Sequence, residues 1–219
     1  DTDPLPGIGN VIMMHAGMLA RMGKKPLIFT EHLGRVNGII NKELFEYTLE
    51  KDEAHDIPLI NLTALMNYRT VAAMHKVVDR SQWVDLPHDI EIGVSFRLGD
   101  PKKDGKFTFM TSTGVQMMKT FIKANKGRVL VCSDSAEFSK NLREELGDDK
   151  VYTLPEGATG MNQWFALSQC RAVCHTVRRM NVANEITTTF APTAAVYGGA
   201  ELIGITNDGD VLTKDKYYW

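Results

Sequence analysis

The sequence predicts an α/β protein of two unequal lobes, the first of them small. Three observations carry this. Short apolar runs rich in β-branched residues alternate with longer helical patterns, the signature of parallel βαβ units. Two turn signals, Asp85-Leu86-Pro87 and His88-Asp89, fall within Ser81–Asp89 and mark a linker. Beyond that linker the alternation of strand and helix becomes cleaner. The lobes are therefore assigned to residues 1–86 and 87–219, with a cleft between them near the linker.

In the first lobe, Pro6-Gly7-Ile8-Gly9-Asn10 opens a helix over Val11–Met22, which Gly23 ends, and Pro26–Thr30 is the strand that follows. Leu44, Phe45, Thr48 and Leu49 stand at helical spacing, so Asn41–Lys51 is read as a second helix. Ile57–Asn61 reads as a strand and Ala64–Asp79 as a third helix.

In the second lobe, Ile90–Phe96 is a strand and Ser112–Asn125 a helix with Val115, Met118, Phe121 and Ile122 on one face. The strand Arg128–Cys132 runs into Ser133-Asp134-Ser135, which can cap the helix Ala136–Leu146. Val151–Leu154 is a further strand. Met161–Met180 supports two readings: one helix, or a helix to Gln169 followed by a short strand over Ala172–Thr176. Pro192 stands in the first turn of a helix that closes at Gly198-Gly199, the favoured ends for those residues. Leu202–Thr206 is the last strand.

Composition narrows the function classes. The 219 residues are 43% hydrophobic and 24% charged, with a formal net charge of -2. That balance gives no electrostatic footprint for nucleic acid or an anionic membrane surface. No apolar run approaches the roughly 20 residues a membrane-spanning helix needs, and no signal peptide is recognisable. An Asp at position 1 is read as the mark of either an excised domain of a larger chain or a trimmed chain. Three cysteines, Cys132, Cys170 and Cys174, make no disulfide framework; the odd count points to free thiols and a reducing, cytoplasmic compartment. Cys170, Cys174 and His175 lack the second ligand pair that a zinc site uses, so buried thiols are the better reading.

The chemistry concentrates at turns between strands and helices. Glu91 to Asp100 runs an apolar strand into Arg97, Gly99 and Asp100. An Arg at the end of a buried strand is costly unless an anion or carboxylate meets it. In open α/β sheets the crevice outside those carboxyl ends is where ligands sit, and phosphate is the expected anion. A structural ion pair of Arg97 with Asp100 would also satisfy the sequence, and Lys102, Lys103 and Lys106 read equally as a solvated tip. Ser133 and Asp134 occupy the next such turn, and Thr187, Thr188, Thr189 and Phe190 a third; N-capping explains part of each. Their recurrence at three turns favours a nucleotide or nucleotide-activated ligand. Gly7-x-Gly9-Asn10 before a helix lets amides approach a ligand, but Ile12 stands where a dinucleotide fingerprint has its third Gly. A tight turn explains it equally well. Asp208-Gly209-Asp210 has the acid-x-acid form that can hold a divalent metal on a sugar nucleotide, and equally the form of a β-turn. His15 is a candidate base on the first helix, though a helix histidine is more often simply packed.

Taken in order, these motifs resemble the fucosyltransferase-type glycosyltransferases, whose fold of two Rossmann-like lobes is called GT-B. Gly7-Ile8-Gly9-Asn10 resembles their G-x-G-N loop, and Ser95-Phe96-Arg97-Leu98-Gly99-Asp100 their H-x-R-x-G-D strand end. Val131-Cys132-Ser133-Asp134 is similar to their Ser-Asp turn, and Leu167-Ser168 with Thr188-Thr189-Phe190 to their last helix starts. Ser95 stands in place of the family's His, Leu98 in place of a second Arg, and Val11 in place of a Gln. The chain is shorter than most members, chiefly in the first lobe.

The resemblance implies a transferase that moves a sugar, with fucose or rhamnose as candidate 6-deoxyhexoses, from a GDP- or UDP-linked donor to a glycan acceptor. It implies inversion at the anomeric carbon and no metal or other cofactor beyond the donor. Arg97 would bind the diphosphate, Asp100 would orient it, and His15, Glu31 and His32 are the candidate bases. Ser133, Asp134, Thr188, Thr189 and Phe190 would line the donor pocket, with Gly7, Gly9 and Asn10 approaching from the first lobe. Two alternatives stand beside this: a metal-dependent transferase using Asp208 and Asp210, and a non-catalytic nucleotide- or glycan-binding module of a larger protein.

Overall fold

A computed structural model describes residues 7–22, 25–29, 38–48, 54, 68–98, 111–181, 184–187, 189–206 and 209–213. The chain forms two compact units, one from Asp1 to Trp83 and one from Val84 to Tyr218.

In the first unit, helix α1 spans Ile8–Met22 and strand β1 Leu27–Phe29. Strand β2, Glu46–Thr48, pairs with β1 in parallel, and helix α2 covers Tyr68–Val77. α1 packs on α2, and Ile12, Met18, Met74 and Val77 of the two helices are buried. The expected helix over Asn41–Lys51 is not formed. Asn41 caps a single 3₁₀ turn, Lys42–Leu44, and at Phe45 the backbone turns extended (φ -132°, ψ 155°). The Glu46 amide donates to the Pro26 carbonyl and β1 takes the rest of the segment, so pairing satisfies backbone groups that a short isolated helix would leave at its ends. The expected strand over Ile57–Asn61 lies outside the described residues, as does the start of the third expected helix.

The second unit is built on one sheet. Its strands are β3 (Ile92–Phe96), β4 (Val129–Ser133), β5 (Val151–Tyr152), β6 (Ala172–Asn181), β7 (Asn184–Thr187), β8 (Glu201–Thr206) and β9 (Val211–Leu212). Their order is β5-β4-β3-β6-β8-β9, with β5 through β8 along that path mutually parallel and β9 antiparallel. The chain winds outward from β3 to β5, returns to β6 beside β3, and then winds the other way. This is a doubly wound sheet whose switch point lies between β3 and β6.

Helices α3 (Ser112–Ala124), α4 (Ala136–Leu146), α5 (Gly160–Ser168) and α6 (Phe190–Gly198) connect the strands. One face of the sheet, with Val94, Phe96, Val131, Cys174 and Ile205, packs on Met118 and Ile122 of α3 and Leu142 of α4. The other face meets α5: a Cβ added at Gly93 would come within 2.7 Å of the Leu167 side chain. α5 is buried on nearly every side, with Met161 and Trp164 through Ser168 all enclosed, which is why its sequence shows no clear period. The second reading of 161–180 is correct, although the strand runs on to Asn181.

α6 crosses α5 closely enough that a Cβ at Gly198 would stand 1.7 Å from the Ser168 carbonyl oxygen. Gly199 then ends α6 in the left-handed region (φ 71°), where glycine costs least. The buried Trp164 indole N–H donates to the Thr193 hydroxyl at 2.9 Å, and that hydroxyl reaches the Thr189 carbonyl at 2.7 Å. Burial of the large Trp ring is thus joined to a satisfied polar end. Among the described residues no helix is long and apolar enough to cross a membrane.

Candidate functional site

β3 and β4 are parallel and in register at Phe96 and Ser133, so the next residues, Arg97 and Asp134, leave the sheet side by side. The Arg97 Nη1 donates to one oxygen of Asp134 at 2.7 Å, and the Leu98 amide donates to the other at 3.0 Å. Their side chains are 36% and 21% exposed, so the pair sits at the rim. The sequence offered Asp100 as the partner of Arg97. Among the described residues Asp134 pairs with Arg97, and Asp100 lies outside them.

Directly after Asp134, Ser135 caps α4 by accepting from the Phe138 amide at 3.1 Å, as its position predicts. The Ser133 hydroxyl accepts from the Ser135 amide at 3.1 Å, which fixes the turn.

Beyond these turns, at the carboxyl ends of β4 and β5, a groove of about 1000 Å³ opens between α4 and the loop from Thr153 to Ala158. Ser133 and Asp134 stand at its β4 end. Tyr152, Leu154 and Pro155 stand at its β5 end, with Lys140 and Arg143 of α4 along the side. Arg143 forms an ion pair with Asp148, which raises its pKa through that hydrogen bond.

The third predicted turn joins the same edge through an unexpected hairpin. Val177 of β6 pairs with Thr206 of β8 on one side and with Thr187 of β7 on the other. β7 therefore takes the side of β6 that β3 occupies lower down, and it brings the chain back in line with the end of β3. α6 starts from there. Thr189 is its N-cap, but in helical geometry (φ -81°, ψ -11°) and with no capping bond from its side chain, so capping does not account for that hydroxyl. Thr189 and Phe190 are half-buried; Thr188 lies outside the described residues.

Two residues below the rim lies a buried polar row that the sequence did not single out as a unit. Cys132, Ser95 and His175 are register neighbours on β4, β3 and β6, at 2%, 7% and 0% exposure. Burial pushes the His175 pKa down to about 4, against a smaller upward pull from its hydrogen bond with the Thr176 backbone, so the ring is neutral at physiological pH. Burial also pushes the Cys132 and Cys174 thiols up, and Cys170 up to about 12. All three cysteines are free and buried, as expected. Cys174 and His175 are consecutive strand residues and face opposite sides of the sheet, so they cannot share a metal. Among the described residues no group of three or more His, Cys, Asp and Glu stands close enough to hold a metal ion. Asp210 is exposed, its amide donating to the Thr206 hydroxyl, and Asp208 lies outside the described residues.

In the first unit, the Gly7 carbonyl accepts the first helical bond from the Val11 amide, so α1 begins at Ile8 and Gly9 and Asn10 lie within its first turn rather than in a loop. Gly7 and Asn10 are exposed and Gly9 is buried. His15 is 2% exposed, its Nδ1 lies 2.8 Å from the Val11 carbonyl, and its ring meets Phe45 edge-on at 4.8 Å. Those are the surroundings of a packed histidine. Glu31 and His32 lie outside the described residues.

No protein-family model and no curated protein sequence matches the chain. Solved structures similar to it include the following three. An α-1,6-fucosyltransferase, NodZ, co-crystallised with GDP is 18% identical, with a TM-score of 0.42 over 67% of this chain and 51% of that one. The fucosyltransferase NodZ from Bradyrhizobium is 19% identical, with a TM-score of 0.42 over 67% and 52%. NodZ soaked with GDP-fucose is 16% identical, with a TM-score of 0.42 over 71% and 54%. The chain spans about half the length of these structures. At such values neither the fold nor the chemistry of this chain follows from the likeness, and both are argued from the residues themselves.

Proposed function

We propose that this chain is a glycosyltransferase that moves a sugar from a nucleoside diphosphate to a glycan acceptor. The observation that carries the reading is Arg97 at the carboxyl end of β3, beside the switch point and held by Asp134, which itself lines the groove that opens at the ends of β4 and β5. A doubly wound sheet binds its ligand there, and an oriented guanidinium is the group that suits a diphosphate. The motif order that resembles the fucosyltransferase type supports a sugar as the transferred group, with fucose or rhamnose favoured and GDP or UDP as the carrier.

In this reading the sugar–phosphate bond breaks as the acceptor hydroxyl attacks the anomeric carbon from the opposite side, giving inversion. The departing nucleoside diphosphate gains negative charge, and Arg97 is the group placed to neutralise it, a stabilisation that grows towards the transition state. The guanidinium does this without a metal. Asp134 fixes the angle of the fork through one carboxylate oxygen, while its other oxygen is tied to the backbone at Leu98. Ser133, Thr188, Thr189 and Phe190 complete the donor pocket, and Asp100 belongs to the loop that follows Arg97. No base is assigned.

The test is release of nucleoside diphosphate from GDP-fucose and from UDP- and dTDP-linked sugars in the presence of glycan acceptors, with and without Mn²⁺. Metal-independent turnover by the wild type that falls at least 100-fold in Arg97→Ala is the expected result. Turnover that needs Mn²⁺ and disappears in Asp210→Asn would replace this mechanism with the acid-x-acid one. Binding of nucleotide with no product from any donor would make the chain a binding module.

A further inference from the structure

We infer that Tyr152 is the shelf on which the base of the bound nucleotide stacks, and that Arg128 is a positioning residue that holds the shelf from behind; this rests on the nucleotide reading of the groove. Tyr152 ends the edge strand β5 and lines the groove, half-buried. The Arg128 guanidinium lies over the ring, 5.5 Å from its centroid, and Arg128 is not among the residues that border the groove. Arg128 thus touches the ring without lining the groove.

Arg128 does not swing freely. Its Nε and Nη2 donate to the two oxygens of Asp89 at 2.6 and 2.8 Å, a two-pronged pairing that fixes the plane of the guanidinium. That hydrogen bond holds the Asp89 carboxyl below the usual range and raises Arg128 further. Asp89 precedes β3 and Arg128 precedes β4, so the clamp joins two segments of the same sheet to the edge residue. A cation fixed over an aromatic ring is attracted by the ring's π face and restrains its orientation. Such a ring is already ordered before a base arrives, so less entropy is lost when stacking occurs.

The groove also has the chemical polarity that a nucleotide has. Its β5 end carries Tyr152, Leu154 and Pro155, an aromatic and apolar surface suited to a flat base. Its β4 end carries Ser133 and Asp134, and Asp134 holds Arg97, the cation for phosphates. β5 and β3 are separated by β4 alone, two strand spacings or about 10 Å across the sheet. Tyr152 is level with Leu130 while Arg97 is level with Asp134, roughly 13 Å further along the strands. The two backbone positions thus lie roughly 16 Å apart, a gap that the two side chains and an extended nucleoside diphosphate span together. A nucleoside diphosphate with its phosphates at Arg97 lays its base over Tyr152, with the ribose between.

Calorimetric titration of the chain with GDP, UDP and inorganic pyrophosphate separates base from phosphate recognition. For each nucleotide that binds the wild type, Tyr152→Ala should raise Kd roughly tenfold or more, the scale of a lost base–aromatic stack. Tyr152→Phe should bind like the wild type, and pyrophosphate should bind all three alike. Arg128→Gln should raise the nucleotide Kd by a smaller factor and leave pyrophosphate unchanged. Wild-type nucleotide affinity retained in Tyr152→Ala overturns the shelf and leaves the nucleotide reading standing. Equal losses for nucleotide and pyrophosphate in Tyr152→Ala make the residue structural, which also overturns it. A wild type that binds none of the three overturns the nucleotide reading and the shelf together.

Discussion

Strands β3, β4 and β6 carry two polar groups two residues apart. Cys132, Ser95 and His175 lie across the sheet beneath α5, enclosed and uncharged, while Arg97 and Asp134, two residues further along β3 and β4, leave the sheet as a charged pair at the rim. Residue type alone would rank the buried group as the more reactive, since it holds a thiol, a hydroxyl and an imidazole. Burial reverses that order. A thiol pushed up cannot present a thiolate, and an imidazole pushed down to about 4 has little affinity for a proton at neutral pH. At the rim, water stabilises both charges, and a ligand can replace that water.

The largest test of this contrast is Arg97→Ala. At the rim, an exposed ion pair contributes about 1 kcal/mol or less to stability, so the melting curve should barely move while donor turnover falls 100-fold or more. A variant that loses stability and activity in proportion would erase the distinction between the two groups.

The buried row is probed by acid. The folded-state pKa of His175 lies below its unfolded value of 6.5, so the unfolded chain takes up a proton that the native chain refuses. Stability is therefore full above pH 6.5 and falls as pH drops from there towards 4, by roughly 3 kcal/mol. The exposed carboxylates held low by ion pairs, Asp89, Glu145 and Asp148, lose their contribution only at lower pH. Urea unfolding at several pH values should show the slope between 6.5 and 4 in the wild type and its loss in His175→Gln. An equal slope in both chains would contradict the burial of an uncharged ring.

The smallest expected effect sharpens the rim. Asp134→Asn removes the ion pair and keeps an acceptor oxygen for the Leu98 amide, so the unfolding free energy should change by about 1 kcal/mol or less. Nucleotide binding should weaken because the fork of Arg97 loses its orientation. Titration of the variant with GDP checks the second point, and denaturant unfolding the first.

Much of the second unit was legible in the sequence. Ile90–Phe96, Arg128–Cys132 and Leu202–Thr206 are apolar runs bounded by polar turns, and the sheet forms on them within a residue or two. Ser135 was readable as a cap because a hydroxyl before a helical pattern has one local use. The pairing of Arg97 with Asp134 was not readable: it depends on β3 and β4 being adjacent and in register, a long-range fact, whereas Asp100 was near in sequence. The β6–β7 hairpin carries no Gly or Pro at its turn, so nothing announced it. Asn41–Lys51 was misread because Leu44, Phe45, Thr48 and Leu49 fit a helical period, while the pairing of Glu46–Thr48 with β1 decided the backbone. Tyr152 gave no signal, since its place over the groove comes from the edge position of β5 and from Arg128 behind it.

The most direct measurement of the central claim is a thermal-shift comparison of the wild type and Arg97→Ala with GDP, UDP and dTDP, each with and without Mn²⁺. At about 100 times its dissociation constant, a nucleotide adds roughly 2.7 kcal/mol to the native state, a readily measured rise in Tm. A rise with at least one nucleoside diphosphate, independent of Mn²⁺ and lost in Arg97→Ala, is the predicted result. No rise with any of them, or an equal rise in both chains, would contradict it.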